Sequence, residues 1–504
     1  MTMLSLDPAT LARRTPPGRD RYLDLLRALA IAVVVVGHWL LAVVWVEGGE
    51  LQAEPLLSAA PASRWLTWVV QVMPVFFLVG GAVNVRSWRA ARSRGDGYGA
   101  WLRTRAARLL APVVALLWAW VVAGPLLVAA GLDRAVVQFG GRNALLPLWF
   151  LAVYLGVVAC VPGLLALHER WGLRVPAGLA LAAGVVDVAH HTLGVPLVGW
   201  ANFLLVWSAP TVLGFCWADG LLERRAVRVL LPVAGAVALV LLVAGLGYPV
   251  SMVGVDGAAR SNNSPPSLAL VALGWVQAGA VLAARAPVTR WLQRPRVWAG
   301  VVALNLVAMT VYLWHQTVMV VAVAGLHAFG VGLSLPPLTV AWWATRPLWV
   351  TLLAVGLLPL VALLSPVERR TPGTARVTGA AGVGLAVAAA AGALATLIFV
   401  GVAPAGTAAA LPAGLATVVT AGAVAVGAVA RRPAVPAVPG LVADTTPAAP
   451  SDRTAPAATD AAGAPSDRTA PAASAAQDAS DADACASPHT DLTTRVAPSA
   501  QRAG

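Results

Sequence analysis

The chain is a succession of long apolar runs separated by short polar connections, many of them rich in arginine. A helix needs about 20 apolar residues to cross the hydrocarbon of a bilayer. That requirement predicts twelve spanning helices, at approximately 22–46, 64–88, 107–130, 145–167, 176–191, 200–218, 227–247, 267–285, 298–326, 347–364, 377–402 and 407–430, the fifth and tenth being short. The fold expected from this pattern is an all-α polytopic membrane protein.

The polar positions are distributed unevenly between the connections. Those after even-numbered helices carry Arg86, Arg89, Arg92, Arg94 and Arg103, then Arg170 and Arg174, then Glu223, Arg224, Arg225 and Arg228, then Arg285, Arg290, Arg294 and Arg296, then Arg369, Arg370 and Arg376. Those after odd-numbered helices are acidic or nearly neutral, with Glu47, Glu50 and Glu54 in the first. Positive charge stays on the cytoplasmic side, so both termini are expected to be cytoplasmic, in a cell inner or plasma membrane. The first apolar run is too long for a signal-peptide core and lacks a small-x-small cleavage site, so it reads as a retained anchor.

Five regions follow. Residues 1–20 are a cytoplasmic lead, 21–365 a ten-helix core, and 366–376 a cytoplasmic linker. Residues 377–430 form two further helices of Ala, Val, Gly and Leu, which read as structural because small residues let helices pack closely. Residues 431–504 turn to Ala, Pro, Ser, Thr and Asp, with PSDRTAPAA at 450–458 repeated at 465–473. Such a tail buries too little apolar surface to fold and is expected to be disordered and cytoplasmic.

Composition closes off other classes. The chain is 59% hydrophobic and 11% charged, against about 25% charged in soluble domains, so a soluble reading fails. The net charge of +13 sits in the connections, which argues against nucleic acid as a partner. Cys160, Cys216 and Cys485 have neither metal-ligand spacing nor an even count for a disulfide framework, and no metal is expected.

The candidate chemistry begins in the first helix, RYLDLLRALAIAVVVVGHWLLAVVW (21–45). Arg27 and His38 are eleven residues apart. Eleven steps of about 100° make about three turns, so both side chains share a face, separated by about 16 Å along the axis. One face thus joins a cation near the inner headgroups to an imidazole near mid-membrane; ionisable groups in lipid are by default functional, the alternative being an arginine that snorkels and a histidine bonded to a neighbouring helix. In MPVFFLVGGAVNVRSW (73–88), Pro74 is expected to kink the helix and Gly80-Gly81 to allow close approach, with Asn84 toward the inner end. Arg103, Arg105 and Arg108 lead into the third helix; Arg105 and Arg108 share a face and read either as paired guanidinium forks suited to phosphate oxygens or as ordinary positive-inside charge. PLWFLAVYL (147–155) reads as an interfacial aromatic belt. Asp187 is at helical reach of His190 and His191, and reads as a structural pair ahead of a proton relay. The polar connection 248–267 reads either as a solvated loop or as part of a binding site. NLVAMTVYLWHQTVMV (305–320) places Tyr312 and a second intramembrane histidine, His315, on one face.

Together these motifs resemble the membrane acyltransferase type 3 family, whose members O-acylate bacterial surface sugars, lipids and some secondary metabolites. The resemblance is carried by LDLLRALAIAVVVVGH, MPVFFLVGG, the Arg105-x-x-Arg108 pair, PLWFL and VYLWH, and spans approximately 20–365. It implies transfer of an acyl group, acetyl by expectation, from cytoplasmic acyl-CoA to a hydroxyl, with no tightly bound cofactor. It further implies essential roles for Arg27 and His38, and donor binding by Arg105 and Arg108. Tyr312, His315 and Asn84 are candidates for binding the acceptor. Gly80-Gly81 stands where the family commonly has Ser-Gly, and the Arg, Ala and Val bias is actinobacterial in style. The alternative is a secondary transporter or flippase-type exporter; it predicts two similar halves, and the motifs of the first half do not recur in the second.

Overall fold

The computed structural model describes residues 15–16, 18–255, 258, 260–368, 379–403 and 410–427. All of them belong to one compact unit, and the repeat-bearing segment Ala443–Gly504 lies outside them, as do most of the lead and linker assigned above. The chain runs α1 (Arg21–Leu41), β1 (Ala42–Glu47), β2 (Glu50–Pro55), α2 (Met73–Ser93), α3 (Tyr98–Ala129), α4 (Arg134–Leu145), α5 (Leu148–Trp171), α6 (Arg174–His191) and α7 (Asn202–Ala218). It continues as α8 (Arg225–Val240), α9 (Leu268–Trp291), α10 (Pro295–Ala328), α11 (Arg346–Glu368), α12 (Ala380–Val400) and α13 (Ala410–Ala425). Among the described residues, ten helical segments are long and apolar enough to cross a membrane. The protein is an all-α, multi-pass membrane protein. The 18-residue α6, with its polar ends, and the 16-residue α13 fall short of that measure.

Four local expectations change. The first helix ends at Leu41, five residues early, because the β-branched run Ala42–Glu47 pairs antiparallel with Glu50–Pro55 through a turn at Gly48 and Gly49, both with positive φ. β-branched side chains are stiff in helices and pack well in strands. His38 therefore lies in the last turn of α1 and not halfway along it. Pro74 does not kink a continuous helix; it occupies the first turn of α2, where a missing N–H costs nothing. Across the break before it, Gln71 Oε1 accepts from Met73 N at 3.4 Å, while its amide donates to the Met252 carbonyl at 3.1 Å. A separate α4 sits between the third and fourth predicted spans. Among its described residues, the connection 248–267 is anchored in the interior: Ser251 and Asn262 are buried, and Met252 N donates to Thr67 Oγ1 at 2.9 Å.

Charged pairs gather the basic connections at one end of the bundle. Arg86 and Arg285 reach Asp20, Arg285 also reaches Glu223 at 2.7 Å, and Arg89 bonds Asp219. Inside, α2 and α7 pack backbone to backbone: a Cβ on Gly81 would strike the Thr211 carbonyl, and one on Gly214 the Leu78 carbonyl. Phe77 and Trp207 stack across this contact, centroids 4.9 Å apart. The two added helices dock on the core, α12 against α5 and α13 against α3. Gln138 of α4 fastens their junction, accepting from Val402 N and Ala403 N at 3.1 and 2.7 Å.

Candidate active site

Asp20 caps α1 by accepting from the backbone N–H of Tyr22 and Leu23, which fixes where the helix starts and hence its phase. Seven residues in, Arg27 Nε donates to Asn305 Oδ1 of α10 at 2.8 Å, and its Nη2 to Asp24 at 3.2 Å. Asn305 is itself fixed, its amide donating to the carbonyls of Asp24 and Val301 at 3.0 and 2.9 Å. Three turns further along α1, His38 Nδ1 meets His315 Nε2 of the same α10 at 2.9 Å. Both predicted residues thus point at one helix, as the eleven-residue spacing requires.

The histidine pair has a defined proton pattern. His315 Nδ1 lies 2.6 Å from the Tyr312 carbonyl oxygen, which only accepts, so that nitrogen carries the hydrogen. In a neutral ring the other nitrogen then holds a lone pair. His315 Nε2 is therefore the acceptor and His38 Nδ1 the donor, which leaves the lone pair of neutral His38 on Nε2. The rings are 3° from parallel. Two indoles hold the pair in place: Trp39 Nε1 donates to the His315 carbonyl, and Trp349 Nε1 to the Trp39 carbonyl, each at 3.0 Å. His315 is fully buried while His38 is half-buried.

A second group lies toward the arginine-rich end. Arg105, partly buried on α3, is within electrostatic range of Tyr154, Arg108 and Arg27. Neither Arg105 nor Arg108 joins an ion pair among the described residues. Buried Asn84, at mid-length of α2, donates to the Tyr154 hydroxyl at 3.3 Å. Tyr154 thus links Asn84 of α2, by this hydrogen bond, to the electrostatic neighbourhood of Arg105.

A model of the acyltransferase domain matches residues 20–366. The chain belongs to the membrane acyltransferase type 3 family. No curated protein and no solved structure matches it.

Not every candidate residue of this acyltransferase meets the site in the expected way. Tyr312 has its hydroxyl engaged with the Pro147 carbonyl at 2.8 Å, so it presents only its ring. Asn84 touches Tyr154 and not the histidines. Asp187 does not pair with His190 or His191: its oxygens accept from Asn202, Tyr248 and Leu268 N at 2.8, 2.9 and 2.8 Å, tying α6 to the connection before α9. PLWFLAVYL is no surface belt, since Phe150 is buried against Phe76 and Phe77 and Tyr154 sits over Gly80. A Cβ on Gly80 would lie 3.1–3.2 Å from the Tyr154 ring and hydroxyl, so glycine at this position leaves the phenol its place. Sequence reasoning missed Tyr154, Asn305, Trp39 and Trp349. Asn305 left a signal: it is an amide in an apolar helix, in the same motif as His315.

Proposed function

We propose that the protein is an O-acyltransferase that moves an acyl group from cytoplasmic acyl-CoA to a hydroxyl of a cell-surface glycan, lipid or secondary metabolite. The observation that carries this reading is the His38–His315 contact, which leaves His38 Nε2 as a lone-pair base held at fixed orientation. Arg105 and Arg108, which form no ion pair among the described residues, suit the donor's phosphates. The pantetheine arm then passes Tyr154 and Asn84, whose hydroxyl and amide can serve its amides. In this reading the arginine-rich end and both termini face the cytoplasm, in the plasma membrane, and the acceptor reaches His38 from the opposite end.

His38 Nε2 takes the proton of the acceptor hydroxyl as that oxygen attacks the thioester carbonyl. The carbon–sulfur bond breaks, an ester remains on the acceptor, and the leaving thiolate recovers the proton from the imidazolium. During that interval the His38 Nδ1–H donates to His315 Nε2, which steadies the charge without a second proton transfer. Binding the reactants beside a poised base supplies proximity as well as proton transfer. The test is comparative mass spectrometry of surface glycans, lipids and secreted metabolites from a deletion strain, complemented with wild type or His38→Ala. An acyl mass restored only by wild type is the expected result; restoration by His38→Ala overturns the assignment.

A further inference from the structure

The end of the bundle that holds His38 also holds a cation with no part in the proton transfer. Arg346 opens α11, one turn before Trp349, whose indole donates to the carbonyl of Trp39 beside His38. Its guanidinium lies 3.9 Å from the centre of the Trp342 ring and 5.8 Å from that of Trp349. Nε donates to the Trp342 carbonyl at 3.2 Å, and Nη2 to Thr345 Oγ1 at 3.0 Å. Trp342 is buried in one cluster with Val43 of β1 and Leu56, so the strand that continues from α1 helps to seat the ring on which the guanidinium lies. A snorkelling arginine stretches along apolar surface toward the headgroups. Arg346 is instead laid on an indole, with its plane set by two hydrogen bonds.

The charge so placed has no counterpart. Arg346 is half-buried and joins no ion pair among the described residues, and its Nη1 has no hydrogen-bond partner among them. Withdrawing a cation from water is costly unless an anion meets it. The donor's phosphates do not serve, because they stay with Arg105 and Arg108 at the arginine-rich end, and Arg27 to His38 alone spans about 16 Å. The molecule that comes to His38 from the side of Arg346 is the acceptor.

We propose that Arg346 binds the acceptor and that the acceptor is anionic, carrying a phosphate or carboxylate besides the hydroxyl that is acylated. The proposal rests on the O-acyltransferase reading above. The anionic oxygens pair with the open Nη1 edge of the guanidinium while the hydroxyl is presented to His38 Nε2. Charge thus selects at both ends of the molecule, by Arg105 and Arg108 for the donor and by Arg346 for the acceptor.

The experiment starts from the compound whose acyl mass disappears in the deletion strain. A compound with a phosphate or carboxylate is the expected result. A neutral compound overturns the anionic acceptor and leaves acyl transfer standing, whereas no lost acyl mass overturns both. The unacylated compound is then supplied, with the acyl-CoA of matching mass, to the full chain in phosphatidylcholine nanodiscs, and CoA release is followed. Methyl esterification of its carboxylate, or enzymatic removal of its phosphate, should raise the acceptor KM of the wild type by about ten-fold or more, with KM for acyl-CoA unchanged. Arg346→Gln should raise the KM of the intact acceptor as far, with no further rise on neutralisation, and Arg346→Lys should fall between. Equal KM for intact and neutralised acceptor with the wild type overturns the proposal without recourse to any variant, as does an undiminished effect of neutralisation in Arg346→Gln. Phosphatidylglycerol in the nanodisc that raises the acceptor KM of the wild type but not of Arg346→Gln would give the cation to a lipid headgroup, and overturns it too.

Discussion

His38 Nδ1 and His315 Nε2 lie 2.9 Å apart, and the other nitrogen of His315 lies 2.6 Å from a main-chain carbonyl oxygen. The direction of the intervening hydrogen bond follows from that carbonyl alone. The two histidines are consequently unequal: His315 is an orienting acceptor with no free nitrogen, and His38 is the ring with one nitrogen left for a reactant.

Replacing each ring should therefore have a different outcome. His38→Ala removes the base and should lower the rate of acyl transfer by 10²-fold or more, within the range of about 10²–10⁴ for general base catalysis. His315→Leu keeps the base but releases its orientation, so kcat should fall while KM for acyl-CoA holds. His315→Gln retains an acceptor and should recover part of the loss. Steady-state CoA release with an acyl acceptor reads all three, and equal kcat for His315→Leu and wild type would remove the orienting role.

The arginine pair predicts a binding defect. Arg105→Ala and Arg108→Ala should each raise KM for acyl-CoA with a smaller change in kcat. The sensitivity of KM to salt should also weaken, because guanidinium–phosphate attraction near a surface is screened by ions. A KM unmoved by both substitutions across a salt series would place the nucleotide away from α3.

The α2–α7 contact predicts a folding defect. A methyl group at Gly81 or Gly214 would run into the Thr211 or Leu78 carbonyl on the facing helix. Backbone cannot yield as a side-chain tip can, so Gly81→Ala and Gly214→Ala should lower the melting temperature and the yield of folded protein. Gly163→Ala, where a Cβ meets nothing within 4 Å, is the matched control and should melt like wild type.

Asp219, just past the end of α7, gives the acid response a definite sign. Hydrogen bonds donated by Arg89, with a further one from His168 Nε2, hold its carboxyl below the ordinary value of 3.8. A carboxyl depressed in the folded state stabilises the fold above its unfolded value, and that contribution disappears as pH falls through the folded value. Thermal melts should accordingly show wild type losing stability below about pH 4. Asp219→Asn should be less stable than wild type at neutral pH and flatter in the acid range. A parallel pair of curves would show that Asp219 is not linked to folding.

How much was visible beforehand depends on how far apart the interacting residues are in the chain. Arg27 and His38 lie on one helix, so spacing alone gave their common face. The spans also follow from local hydropathy, which is why the all-α polytopic fold was legible. Asn305 and His315 meet them from 278 and 277 residues away, through the register of α10 against α1, and no local pattern encodes that register. The same limit hid Asp187: helical reach pointed to its neighbours His190 and His191, whereas its partners come from α7 and the connection before α9. The strand after Leu41 was hidden for another reason. Its Val and Trp residues satisfy a hydropathy window as well as any helix would, and only their pairing with Glu50–Pro55 decides between the two.

The contact between Arg27 and Asn305 yields the prediction that separates charge from geometry. Arg27 uses Nε toward Asn305 and Nη2 toward Asp24, which fixes the plane of the guanidinium. Lysine keeps the charge but has a single ammonium on a flexible stem and cannot reproduce that fork. If Arg27 acts by its charge alone, Arg27→Lys should retain most of the activity. If it acts as an oriented fork, Arg27→Lys should fall close to Arg27→Ala, and Asn305→Ala should reproduce part of the loss with Arg27 still present. The bonds to Asn305 and Asp24 favour the fork, so the expected order of transfer rates is wild type, then Asn305→Ala, then Arg27→Lys near Arg27→Ala. Arg27→Lys at or above Asn305→Ala would assign the role to charge.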